Sequence, residues 1–241
     1  MSKEELDCEQ SFIENTTRES NGRFVVTIPL KENPNRLGGS YEQALTRILS
    51  LERRFQRDPL FKEQYCNFMN EYIALGHMSE NTDPEGDTPH CILPHHGVLR
   101  ETSLSTKLRV VFDASAVTTT GISFNNIQMV GPTVQDDLIS ILIRMRQHKF
   151  VATADAEKMY TSIKVNENQC SLQQVLWRYD PREELKLYKL KTVTYGTASA
   201  PYLATRCLKQ LGLECSSKVV SEVIQHDFYV DDLITWGSTE D

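Results

Sequence analysis

The stretch HDFYVDDLITW, residues 226–236, sets two adjacent aspartates, Asp231 and Asp232, inside an apolar, β-prone run. Phe228, Tyr229 and Val230 precede the pair; Leu233, Ile234 and Trp236 follow it. Carboxylates are seldom buried without a partner, and two side by side repel. A closing hairpin with the acids at its turn accommodates the pattern. It leaves two readings open, a solvated tip or a pair neutralised by a cation.

Upstream, FVATAD (150–155) reads as a short strand that also ends on an acid, Asp155. If the two strands are neighbours, Asp155 and Asp231 share one surface. Hard carboxylate oxygens suit Mg²⁺, and one or two carboxylates plus substrate phosphates are its usual ligands. Two such ions, roughly 3.5–4 Å apart, serve nucleotidyl transfer.

The rest of the chain predicts mixed elements without strict βα alternation, hence an α+β fold. Residues 1–22 are polar, lack periodicity and read as a loose start. GRFVVTIPL (22–30) predicts a short strand. Ser40 begins a helix with Ala44, Leu45, Ile48 and Leu49 on one face, and Asp58-Pro59 breaks it and starts another. The second helix carries Phe61, Tyr65, Phe68, Met69, Tyr72 and Ile73 on its apolar face and stops at Gly76. That aromatic stripe reads as helix-pair core. Strands are expected around 90–100 and 107–113, and a helix from Thr133. A hairpin joins LQQVLWRY to LKLYKLKTV, and one or two helices follow to about 226. Asp136-Asp137 reads as a helix-start pair favoured by the dipole.

The chain has 241 residues, 39% of them hydrophobic and 24% charged, the composition of a globular protein. No apolar run approaches the roughly 20 residues of a membrane span, and the N-terminus lacks a signal peptide's apolar core. An intracellular, cytoplasmic protein with no membrane partner is expected, with its six scattered cysteines as reduced thiols. The net charge of −7 argues mildly against nucleic-acid binding, though residues 1–20 alone hold six acids against two bases. His77, His90, Cys91, His95 and His96 are zinc-ligand types, but their spacings match no standard finger.

The order of the motifs carries more than any one of them. FYVDD resembles the Y-x-D-D box of reverse transcriptases. ATADAEKMYTSI resembles that family's first catalytic segment, TVTYGTASAP (192–201) the segment between the two acidic motifs, and KLRVVFDAS (107–115) the basic strand of the fingers. Together with LGHM, LPHH and VGP, the ordered set resembles the Bel/Pao group of LTR retrotransposons, from about residue 22 to 241.

The resemblance implies a right-hand polymerase: a ferredoxin-like palm sheet with fingers over 90–241, an upstream linker with a helix pair over 23–89, and an N-terminal helical extension. It implies RNA-directed DNA synthesis on an RNA template and DNA primer, with dNTPs as substrates and two Mg²⁺ ions, Mn²⁺ being a substitute. Asp155, Asp231, Asp232 and the Ala156 carbonyl would hold the metals, with Asp232 the least direct ligand. Lys107 and Arg109 would meet the triphosphate. Tyr160 would lie under the sugar and disfavour a 2′-hydroxyl, which speaks against RNA synthesis. Tyr195 and Gly196 would contact the nascent pair; some relatives carry Gln where Tyr195 stands. Tyr229 and Val230 would pack beside the primer end. Only nine residues follow Asp232, so the thumb, RNase H, integrase and protease of a Pol polyprotein are expected as partners outside this chain, in the cytoplasm or in virus-like particles. The competing expectation is a catalytically inactive remnant acting at most as a nucleic-acid-binding module.

Overall fold

A computed structural model describes residues 1–83, 86, 89–99 and 108–238. The chain opens on helix α1, Lys3–Asn15, followed by β1, Thr17–Arg18, and β2, Phe24–Val26. Residues 1–22 are therefore not a loose start. Ser2 and Glu5 form a reciprocal capping box. Cys8 and Phe12 are buried, Phe12 lying edge-on to Tyr202 with ring centres 6.1 Å apart. The Glu9 carboxylate accepts from the Tyr202 hydroxyl at 2.6 Å and from Arg206 Nε at 2.8 Å. Two buried apolar contacts and one charge-assisted cluster thus hold a helix whose polar residues conceal its periodicity.

The helix pair follows as α2, Tyr41–Arg57, and α3, Pro59–Ala74, hinged at Asp58, whose side chain caps α3 through Phe61 N. Gly76 stops α3 with φ +70°. Ser40 sits at the N-cap of α2 but does not cap it; its hydroxyl accepts from Ile92 N at 2.8 Å. Next come β3, Met78–Glu80, β4, His95–Leu99, β5, Leu108–Phe112, α4, Leu138–Met145, and β6, Phe150–Asp155. The expected start of α4 at Thr133 moves to Leu138 because Asp137 is the cap, accepting from Ser140 N at 3.0 Å. The remaining elements are β7, Lys164–Val165, β8, Gln174–Trp177, β9, Lys186–Leu190, α5, Ala200–Glu214, α6, Lys218–His226, β10, Phe228–Tyr229, and β11, Asp232–Gly237.

Among the described residues four small sheets result: β1-β2-β7, β3-β9-β8, the ribbon β4-β5, and β10-β11-β6. All pairings are antiparallel except β2 with β7. The acid-bearing sheet has three strands where a ferredoxin-like arrangement has four.

The best-sealed part of the core lies where α2 and α3 meet β4, β5 and β8. Tyr65 stacks on Trp177 with centres 5.5 Å apart, and Phe55 packs against Phe61, Tyr65 and Trp177. Glu52, the one buried acid of α2, takes a two-pronged bond from Arg178 at 2.6 and 2.8 Å. His95 is also buried here. Its Nδ1 meets the Tyr65 hydroxyl at 2.5 Å and its Nε2 meets the Leu176 carbonyl at 2.8 Å. Both ring nitrogens are thus occupied, and burial holds the imidazole down at about 4, so it is neutral.

Candidate active site

Asp155 ends β6, and β11 begins at Asp232. The register pairs them directly: Asp232 with Asp155, Leu233 with Ala154, and onward to Gly237 with Phe150. The Ala156 N–H donates to the Asp231 carbonyl at 2.8 Å. That makes 156/231 a hydrogen-bonded position and 155/232 a non-hydrogen-bonded one, where opposed Cα atoms approach to about 4.5 Å and side chains share a face. Asp232, rather than Asp231, therefore stands across from Asp155. Like charges directly opposed are destabilising, and none of the three aspartates has an ion-pair partner among the described residues.

Asp231 sits in the two-residue turn between β10 and β11, whose register pairs Tyr229 with Asp232. Val230, the first turn residue, has φ +57°. This φ pattern is that of a type II′ turn, where glycine is usual, and for a β-branched residue it is strained. Gln135 holds the strain in place: its Oε1 accepts from Val230 N at 2.8 Å and its Nε2 donates to Val230 O at 3.1 Å. Lys158, with φ +56° and an ion pair to Glu71 at 2.7 Å, is the other non-glycine residue of positive φ among the described residues. Both lie within three positions of a site aspartate, and strained backbone concentrates at functional sites.

Tyr160, Tyr195 and Arg109 gather beside Asp231. The two tyrosine rings meet edge to face with centres 6.0 Å apart, and the Arg109 guanidinium lies 5.0 Å from the centre of the Tyr195 ring. Burial raises the pKa of Tyr160, the Asp231 charge raises it further, and Arg109 opposes. Gly196 has φ +100°, and a side chain there would come within 2.6 Å of the Phe112 carbonyl, so its close approach is to β5. Tyr229 is exposed beside the turn. Lys107 lies outside the described residues.

Three supports carry no motif. Asn125 clamps the 196–198 segment, donating to the Gly196 carbonyl at 3.0 Å and accepting from Ala198 N at 2.8 Å. Gln128, fully buried, accepts from Ser199 N and Oγ. Asp227, its pKa raised by burial, accepts from Thr235 Oγ1 at 2.8 Å and ties the hairpin's base to β11.

Among the described residues no group of three or more His, Cys, Asp or Glu side chains is gathered tightly enough to hold a metal ion. The acids divide into the opposed pair Asp155 and Asp232 and the turn residue Asp231, facing Tyr160. Their oxygen-only chemistry and their lack of basic partners suit a hard divalent cation.

No family model matches the sequence, and no curated protein does. Solved structures do match. A foamy viral protease–reverse transcriptase in complex with double-stranded DNA aligns with TM-score 0.52 and 16% identity over 70% of this chain and 24% of that one. A prototype foamy virus protease–reverse transcriptase mutant gives 0.55 and 16% over 76% and 20%. The foamy viral enzyme in complex with an RNA/DNA hybrid gives 0.54 and 14% over 74% and 20%. At such identities the likeness is one of fold: the chain has a reverse-transcriptase-like fold, and spans about a quarter or less of those chains. No helix among the described residues is long and apolar enough to cross a membrane.

Proposed function

We propose that this chain carries the fingers and palm of an RNA-directed DNA polymerase of Bel/Pao type, part of a retrotransposon Pol polyprotein. The observation that carries the reading is the in-register opposition of Asp155 and Asp232, without cationic partners, within a reverse-transcriptase-like fold. Residues 90–241 would form fingers and palm, with thumb, RNase H, integrase and protease supplied by the rest of the polyprotein. The foamy viral complexes with double-stranded DNA and RNA/DNA hybrid support a primer–template as ligand.

The reaction is attack of a primer 3′-hydroxyl on the α-phosphate of a dNTP, releasing pyrophosphate. Asp155, Asp231, Asp232 and the Ala156 carbonyl would hold two Mg²⁺ ions, which when bound supply charge neutralisation and an acidified hydroxyl. Arg109 offers its planar fork to the triphosphate while its π face rests on Tyr195. Tyr160, braced by Tyr195, presents a ring edge where a 2′-hydroxyl would clash. Gly196 keeps the strand-end backbone against Phe112 and leaves room for the nascent pair. Tyr229 and the Gln135-held Val230 form a fixed ledge for the primer end.

The test is metal-dependent dNTP incorporation by a longer chain that includes a thumb. Incorporation that Asp155→Asn or Asp231→Asn abolishes is expected; full activity in either variant sinks the assignment. A second reading, a nucleic-acid-binding module without catalysis, is favoured by the separation of Asp231 from the opposed pair. It predicts no incorporation even with a thumb, and binding that tolerates loss of the acids.

A further inference from the structure

Helix α2 carries four arginines, Arg47, Arg53, Arg54 and Arg57, against two acids, Glu42 and Glu52. Glu52 is turned inward and neutralised by Arg178, so it does not offset them. Arg47, Ser50, Arg54 and Arg57 follow the spacing i, i+3, i+7, i+10, which is one face of a helix. That face and β4 bound a cleft of about 250 Å³, with His96 on its opposite wall. The Arg54 guanidinium carbon lies over the Phe61 ring, 3.6 Å from its centre, which restrains the side chain. Arg57 Nε donates to the Arg53 carbonyl at 3.3 Å. Neither Arg54 nor Arg57 has a carboxylate partner among the described residues. Asp113 shares the cleft and reaches only Arg47, at 3.9 Å. A chain of net charge −7 thus keeps a basic stripe on a helix outside the acidic sheet, offset in its cleft by Asp113 alone among the described residues.

We infer that the α2 stripe is a phosphate-binding track for the backbone of a single nucleic-acid strand. Arginine's fork suits phosphate oxygens. Arg47 to Arg57 spans about 15 Å at the helical rise. That span suits successive phosphates of a strand better than one phosphate or pyrophosphate. His96 is the one exposed aromatic ring lining the cleft, so contact is chiefly to the backbone and depends little on sequence. The inference shares with the proposed function only its nucleic-acid partner; it does not require the acids.

The test is fluorescence anisotropy of a labelled mixed-sequence single strand with the full chain, between 50 and 200 mM salt. Three arginine contacts to a single strand steepen the dependence of log K on log salt by about 2. Arg47→Gln/Arg54→Gln/Arg57→Gln is expected to lose that slope and to bind about tenfold or more weakly at the lower salt. Because Arg54 also packs on Phe61, Arg47→Gln/Arg57→Gln, at exposed positions, is the companion variant; its slope should fall by about 1.4. Asp155→Asn/Asp231→Asn should retain the full slope, so failure of polymerase chemistry leaves this inference intact. Unchanged slope and affinity in both arginine variants overturn it. So does binding of pyrophosphate or of phosphatidylserine vesicles through these arginines without binding of the strand.

Discussion

Two regions of this molecule treat polar groups in opposite ways. Around Trp177 the chain buries Tyr65 and His95 together, links each to a partner, and closes Glu52 with Arg178. Around Asp155 it opposes two carboxylates, leaves them unpaired, and strains Val230 to form the turn that carries Asp231. Every residue of β6 is at least partly exposed, and Ile139 and Ile143 of α4, which packs against β10 and β11 of the same sheet, are open to solvent. The first region pairs its buried acid and its buried histidine internally, leaving the Trp177 indole N–H without a hydrogen-bond partner among the described residues; the other leaves its carboxylates without cationic partners. The electrostatic cost of the acidic sheet is a property that ligand binding can relieve, whereas the charged groups of the aromatic region are already neutralised within the chain.

That contrast is open to direct attack. The largest effect expected is on chemistry alone: Asp232→Asn in a longer, thumb-bearing chain should remove metal-dependent dNTP incorporation while leaving the melting temperature unchanged or raised, since an opposed like charge is gone. A drop in melting temperature would show that the acids are structural. Next, Trp177→Ala should cost about 3–5 kcal/mol in urea unfolding, because the cavity opens among Phe55, Tyr65 and Tyr179; a cost under about 1 kcal/mol would mean the aromatic cluster is not the stabilising centre. Acid comes third. His95 is held at about 4, below its unfolded value of about 6.5. Its folded form binds fewer protons, so its contribution is full above the unfolded pKa and is lost as pH falls towards the folded one. Stability should fall by about 2 kcal/mol between pH 7 and pH 5 from this residue, and His95→Phe should remove that share; an identical pH profile in the variant refutes it. Smallest is Val230→Gly, where relief of positive φ opposes the entropy of glycine, for a net change within about 1 kcal/mol in unfolding. A loss beyond that would show that the valine side chain, not the turn, is what Gln135 secures.

Much of this was legible in the sequence where one signal dominated. The α2–α3 break at Asp58-Pro59, the β8–β9 hairpin and the strand ending at Asp155 each follow from periodicity and turn residues. Helix α1 escaped because only Cys8 and Phe12 of its residues are buried; its signal was the capping box, Ser2 and Glu5, rather than a stripe. The start of α4 was displaced because Asp137, read as a dipole partner, is the cap itself. The acids were found, but their partition was not: whether Asp231 or Asp232 faces Asp155 depends on a register one residue either way, and that is fixed by the turn. Gln135, Asn125 and Gln128 left no trace at all, since a side-chain amide bonded to distant backbone has no local pattern.

The pairing of β11 with β6 also governs when the site comes into being. Asp155 and Asp232 are brought together across β7, β8, β9, α5, α6 and β10, so their meeting closes a long loop, though a shorter one than those closed by β2 with β7 and by β3 with β9. Contacts of large sequence separation form late, after local hairpins and helix pairs have reduced the entropy of closure. On a ribosome, the helix pair and its aromatic contacts with β4 and β5 emerge before β11 exists, and β6 waits as an unpaired strand edge. The opposed carboxylates then meet only after that scaffold has emerged. A nascent chain carries the helix pair and its aromatic contacts well before it carries the opposed charge pair.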